Sequence, residues 1–200
     1  MAQQALILTL AYGLGSLPFG VWISRALGTA DLRRHGSGGS GATNVLRRHG
    51  WAAALLVAGL DGAKGWLAAA WLPRMVEGAG LDLSAAAGLA AVAGHVWPVF
   101  ARFRGGKGVA TSAGVVLAIA PPALAGAALI FALVVALTRK VSPGSVAAAA
   151  ALPLLLYATG PADPPWLGVG LGSMLFVLVL FTHRKNLGKL RRGEEPNIGR

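Results

Sequence analysis

From Val109 to Leu137 the chain runs 29 residues without a single Asp, Glu, Lys or Arg. An apolar stretch of that length is a membrane-spanning candidate. It is interrupted at Pro121-Pro122, and two consecutive prolines remove two backbone donors and break a helix. The break decides the topology. Read as one span, 109–137 would set the basic tail (His183-Arg184-Lys185, Lys189, Arg191, Arg192) across the bilayer from the basic loops at 25–50 and 102–107, against the positive-inside rule. Read as two short helices, 109–120 and 123–137, it returns Arg139-Lys140 and the tail to the side of those loops. The expected fold is therefore an all-α integral membrane protein of about seven transmembrane helices, N-terminus outside and C-terminus cytoplasmic. The other spans are predicted at 5–24, 51–72, 84–99, 141–159 and 166–182. Gly13 and Gly15 are expected to allow close helix contact in the first, and tryptophans anchor both ends of the second. Some spans are short. About 14 residues at ~1.5 Å each reach ~21 Å against a ~30 Å hydrocarbon core, so the bilayer thins or neighbouring helices shield them.

Composition agrees: 55% of residues are hydrophobic and 12% charged, where a soluble domain carries about a quarter charged. One membrane-embedded domain, 1–200, is expected, with no internal repeat and no cleavable signal peptide, since the N-terminus lacks a basic region. The chain has no cysteine, which excludes disulfides, thiolate nucleophiles and Cys-based metal sites. The net charge of +11 points to cationic cytoplasmic loops and an anionic lipid or substrate, not to nucleic acid.

The chemistry concentrates in a few segments. Between Arg33-Arg34 and Arg47-Arg48, four glycines (Gly36, Gly38, Gly39, Gly41) fall within six positions, followed by Ala42-Thr43-Asn44. Glycines let successive N–H groups turn toward one point, a nest for a phosphate that a following helix strengthens. Thr43 or Asn44 is expected to cap that helix. A flexible Gly/Ser linker is the competing reading. Gly105-Gly106-Lys107-Gly108 is not a Walker loop, because Ala101 stands where the first glycine belongs and glycine follows the lysine. It reads as a lysine held to reach a phosphate as a point charge, or as a basic turn beside the membrane. Asp61 and Lys64, three apart within a span, form a structural ion pair supporting the site. His183 and Asn186, also three apart, are candidates for a polar substrate, whereas His95 reads as structural. Ser142 and Ser145 flank Pro143-Gly144 and are expected to cap a helix, with ligand contact as the lesser role.

Absences narrow the class. No histidine is followed four residues later by aspartate, so the acyltransferase signature that goes with acyl-CoA or acyl carrier protein is missing. Asp31, Glu194 and Glu195 are the few acids expected on the cytoplasmic face, too few for a magnesium-dependent phosphotransferase. No Ser–His arrangement suggests an acyl-enzyme. These features fit a metal-free site for two anions.

Taken together, Gly36-Ser37-Gly38-x-x-Gly41-Ala42-Thr43-Asn44-Val45-Leu46-Arg47, Asp61-x-x-Lys64-Gly65, Gly94-His95-x-x-Pro98 leading into Gly105-Gly106-Lys107-Gly108-Val109-Ala110-Thr111, and His183-Arg184-x-Asn186 with Gly193-x-Glu195 resemble the PlsY family of bacterial acyl-phosphate:glycerol-3-phosphate acyltransferases. The motifs occur in order over nearly the whole chain. The resemblance implies transfer of a fatty acyl group from acyl phosphate to glycerol 3-phosphate, giving lysophosphatidic acid and phosphate, the first step of phospholipid synthesis. It also implies seven spans in the bacterial inner membrane with a cytoplasmic active site. Where the family usually has Asn after Ser-Gly, this chain has Gly39, followed by Ser40 in place of an aliphatic residue; backbone N–H donation survives that change.

On this resemblance Gly36, Ser37, Gly38, Gly39, Gly41, Ala42, Thr43 and Asn44 bind acyl phosphate. Arg47, Lys107, Ser145, His183 and Asn186 bind glycerol 3-phosphate, and Ser37, Arg47, Lys107, His183 and Asn186 carry catalysis. No cofactor or metal is expected, the partners are the two substrates and membrane lipid, and the protein is expected to be a monomer. The base is either the departing phosphate or His183. A small transporter of anionic phosphate or lipid, built on glycine-broken helices, is the alternative.

Overall fold

Alanine and leucine dominate the chain, and in lipid such a sequence satisfies its backbone polar groups only by coiling into helices. The computed structural model describes residues 1–29, 31–34, 38–160 and 165–198, all of them helices, turns and connecting segments. They form two compact units, residues 1–118 and 119–198. The Pro-rich turn near 161–164 lies outside the described residues.

In the first unit the expected first span is two helices, α1 (Ala2–Gly15) and α2 (Phe19–Ala26). Pro18 interrupts them, since it has no N–H and disfavours helical backbone at the residue before it. α1 packs on α4 (Leu81–Val96) through small residues. A Cβ on Gly15 would lie 2.1 Å from the Ala91 carbonyl oxygen, and one on Gly94 would lie 2.3 Å from that of Tyr12. Gly13, expected to share this role, faces open space. Ile7, Ala11, Ala68, Leu72, Ala87 and Ala91 form the core beside this contact.

α3 (Ala42–Trp66) begins at the glycine loop, not at Trp51, and continues through a π turn and a 3-10 turn to Met75. It kinks at Gly50, whose φ of 81° is open to glycine at little cost. α5 (Val109–Ile119) crosses α3 closely, and a Cβ on Gly114 would lie 1.9 Å from the Gly62 oxygen.

In the second unit, α6 (Pro121–Thr138) starts with both prolines in its first turn, where a missing N–H is tolerated. The interruption at Pro121-Pro122 therefore falls where the sequence placed it. α7 (Val141–Thr159) and α8 (Pro165–Arg191) pack through Gly172, whose Cβ would meet the Pro153 nitrogen at 2.7 Å. α8 continues beyond residue 182 through the basic tail. Leu129, Leu133, Leu154, Met174 and Val177 are exposed, as a lipid-facing surface requires. Among the described residues six helical segments are long and apolar enough to cross a membrane, and α5 adds a shorter apolar helix.

Candidate active site

The glycine loop is closed by a side chain from the helix it precedes. Asn44 is buried, and its Nδ2 donates to the carbonyls of Gly39 (2.8 Å) and Leu32 (3.1 Å). Neither Thr43 nor Asn44 caps α3; Gly41 is the capping residue and no side chain bonds the first turn. Asn44 instead reaches back and fixes the loop from inside, while its own N–H and that of Val45 donate to the Gly41 carbonyl at 3.0 and 3.3 Å. Gly38 holds a φ of 75°, a conformation that glycine adopts readily. Gly36 and Ser37 lie outside the described residues. Thr43 and Arg47 are four apart on α3 and share a face, both half-buried.

The loop base is pinned by charge. Arg33 donates to Asp31 through Nε at 2.9 Å and Nη2 at 3.1 Å, and to the Ala101 carbonyl at 2.8 Å. The hydrogen bond from Arg33 holds the Asp31 carboxyl down at about 2, and the same contact raises Arg33.

The lysine loop returns against the end of α4. Arg102 and Phe103 turn the chain with φ of 56° and 58°, a region uncommon for residues with a Cβ and a mark of a backbone held by its surroundings. Gly105 N–H then donates to the Val96 carbonyl (3.2 Å) and Gly106 N–H to that of His95 (3.1 Å). Ser40 N–H donates to the Gly105 carbonyl at 3.3 Å. That bond joins the glycine loop to the loop carrying Lys107. At the start of α5, Thr111 and Ser112 are buried, and their hydroxyls have no hydrogen-bond partner among the described residues.

Beneath these loops lies the ion pair. Lys64 Nζ stands 2.8 Å from Asp61 Oδ1, both side chains almost wholly buried, and donates to the Leu17 carbonyl at 3.0 Å. His95 Nδ1 is 3.4 Å from the same Asp61 oxygen. Asp61 and Lys64 thus pair as the spacing predicts, and His95 joins them.

In the second unit the centre is Glu195, a residue the motif reading left without a role. Buried in a mainly basic tail, it accepts from Ser142 Oγ (2.7 Å) and from Asn186 Nδ2 (2.9 and 3.0 Å to its two oxygens). Lys140 Nζ donates to its backbone carbonyl, and Ile198 N–H donates to the Arg139 carbonyl at 2.7 Å. Ser142 and Ser145 therefore do not cap α7. Lys140 is the capping residue, Ser142 serves Glu195, and Ser145 Oγ donates to the Val141 carbonyl at 3.0 Å. His183 Nδ1 lies 2.8 Å from the Val179 carbonyl. A carbonyl only accepts, so Nδ1 carries the proton and Nε2 is the basic nitrogen. His183, Asn186 and Ser145 are all buried in this unit; Arg47 and Lys107 belong to the other. The signal for Glu195 was available: a carboxylate set among Lys189, Arg191 and Arg192.

Among the described residues no three His, Asp or Glu side chains gather as metal donors.

The model of the glycerol-3-phosphate acyltransferase family matches residues 5–193. The glycerol-3-phosphate acyltransferase of Syntrophomonas wolfei is 44% identical over 196 residues, 98% of this chain and 97% of the relative. That of Synechococcus elongatus is 46% identical over 200 residues, 96% and 93% of the two chains. The crystal structure of PlsY (YgiH), an integral membrane glycerol 3-phosphate acyltransferase, in its glycerol 3-phosphate form matches with a TM-score of 0.89 at 36% identity, covering 98% of this chain and 96% of that one. Its lysophosphatidic acid form gives 0.86 at 34% identity over 97% and 94%.

Proposed function

The chain belongs to the glycerol-3-phosphate acyltransferase family, and from that premise we propose that it moves a fatty acyl group from acyl phosphate to glycerol 3-phosphate at the cytoplasmic face of the bacterial inner membrane. Lysophosphatidic acid and inorganic phosphate are the products, and the first feeds phospholipid synthesis. The observation that carries this reading is the Ser40–Gly105 hydrogen bond, which joins a backbone-donor loop to a lysine loop. Two neighbouring anion-binding elements suit a reaction between two phosphorylated molecules.

In this reading Gly36, Ser37, Gly38, Gly39, Gly41, Ala42, Thr43 and Asn44 hold the acyl-phosphate head, with the Thr111 and Ser112 hydroxyls as further donors on an anion. The motifs assign Arg47, Lys107, Ser145, His183 and Asn186 to glycerol 3-phosphate, Arg47 and Lys107 meeting its phosphate. A hydroxyl oxygen of glycerol 3-phosphate attacks the acyl carbonyl carbon, the new ester C–O bond forms, and the C–O bond to phosphate breaks. Phosphate leaves with the bonding pair, stabilised by positive charge and amide N–H groups. The hydroxyl proton passes to the departing phosphate or to His183 Nε2. Acyl phosphate is already activated, so positioning supplies most of the remaining barrier reduction. The enzyme needs no cofactor or metal and works as a monomer in lipid.

Purified protein given acyl phosphate and labelled glycerol 3-phosphate, with chelator present, is expected to form lysophosphatidate. A transporter would instead move label across sealed vesicles without releasing phosphate. If His183→Gln keeps substantial turnover and the wild-type pH profile, the leaving phosphate is the base.

A further inference from the structure

We propose that His95 is a positioning residue for glycerol 3-phosphate: held by Asp61, its ring and backbone set the Gly105–Gly106 segment that aims Lys107. The proposal rests on the acyltransferase reading above and assigns work to a histidine that the sequence marks as merely structural.

Four observations converge on this residue. Its Nδ1 is 3.4 Å from Asp61 Oδ1, the oxygen that also takes Lys64 Nζ at 2.8 Å. Lys64 is itself held at the Leu17 carbonyl and lies 5.7 Å above the Phe19 ring, so the break between α1 and α2 anchors the network from below. On its other edge, Nε2 faces the loop: a Cβ on Gly106 would lie 2.2 Å from it. The His95 carbonyl accepts from Gly106 N–H at 3.1 Å, and a Cβ on Gly105 would lie 2.0 Å from that oxygen. One residue thus touches the loop through ring and backbone, immediately before Lys107. The ring is 6% exposed, and such a buried ring holds one orientation only while Asp61 holds it. Gly105 in turn holds Ser40 of the glycine loop. Asp61 and Lys64 bear on the anion sites through His95 rather than by touching substrate.

The test is kinetic, on full-length protein in detergent or lipid. His95→Ala removes both contacts of the ring. His95→Asn places an amide nitrogen near the Nδ1 position, keeping the Asp61 bond without the ring edge under Gly106. His95→Ala is expected to raise KM for glycerol 3-phosphate at least tenfold while kcat changes less than threefold and the melting curve stays that of a folded protein. His95→Asn is expected to recover part of that loss. A folded His95→Ala with both constants within twofold of wild type overturns the proposal, as does a fall in kcat at unchanged KM. Should neither variant fold, Gly106→Ala approaches the same contact from the loop side: a raised KM supports the proposal and an unchanged KM overturns it. Wild-type protein is assayed in parallel. No wild-type turnover defeats the acyltransferase reading itself, whereas normal wild-type turnover with an indifferent His95→Ala defeats only the positioning role.

Discussion

The two units present binding groups by opposite means. In residues 1–118 the groups proposed to face an anion are chiefly backbone N–H groups, and the side chains are spent beneath them: Asn44 ties the glycine loop, and Asp61, Lys64 and His95 underlie the lysine loop. In residues 119–198 the groups proposed to bind are the side chains of Ser145, His183 and Asn186, and one carboxylate, Glu195, holds Asn186 together with Ser142. A backbone site is lost when its support moves, although the residues seen at the surface are glycines. A side-chain site is lost one group at a time. The contrast explains why the most deeply buried charges of the first unit lie under its least decorated loop.

The largest effect expected is on Lys107, one of the two cations proposed to meet phosphate in the first unit. Lys107→Ala should lower kcat/KM by about 10²–10³-fold, the scale of losing one donor to an anion, with the melting curve unchanged; near-normal turnover would remove Lys107 from the site. Next comes the support. Asp61→Ala leaves Lys64 buried without its carboxylate and should cost about 3–5 kcal/mol of stability, while the neutral pair Asp61→Asn with Lys64→Met should cost far less. Equal losses in a thermal melt would show that charge pairing is not what holds the lysine.

Glu195 sharpens the comparison from the side-chain half. Glu195→Ala deprives Ser142 and Asn186 of their acceptor, and each orphaned group costs about 1–3 kcal/mol. Limited proteolysis should then cut near Arg191 and Arg192 earlier than in the wild type. An unchanged cleavage rate would mean that the tail is held by Lys140 and Ile198 alone.

The smallest effect concerns the loop base. The folded-state Asp31 carboxyl sits at about 2 instead of the usual 3.8. Its depressed value means that its contribution is complete above about pH 4 and fades as pH falls through about 2. It is only partly buried, so screening leaves on the order of 1 kcal/mol. Asp31→Asn should therefore lower melting slightly at neutral pH and make no difference below pH 2. A difference that persists at the acid end would place the effect elsewhere.

Much of the architecture is legible in the residues because a bilayer admits few solutions. Apolar runs must be helical, and Pro121-Pro122 must end one of them whatever surrounds it. The Asp61–Lys64 pair is equally legible, since three residues along a helix bring two side chains to one face, and no charge stays single in hydrocarbon at small cost. Other features depend on chain segments far apart in sequence, and local spacing carries no information about them. Nothing around Gly105 announces that it accepts from Ser40, nothing around Asn44 says that it will tie Leu32 and Gly39 instead of capping a helix, and nothing around Ser142 points to Glu195. Gly13 and Gly15 differ by two positions, yet only Gly15 meets α4, because rotation about the helix axis is decided by packing. Sequence alone thus determined what the chain is made of and where it must bend; the tertiary structure decided which buried groups answer one another, since that pairing is a property of distance in space and not along the chain.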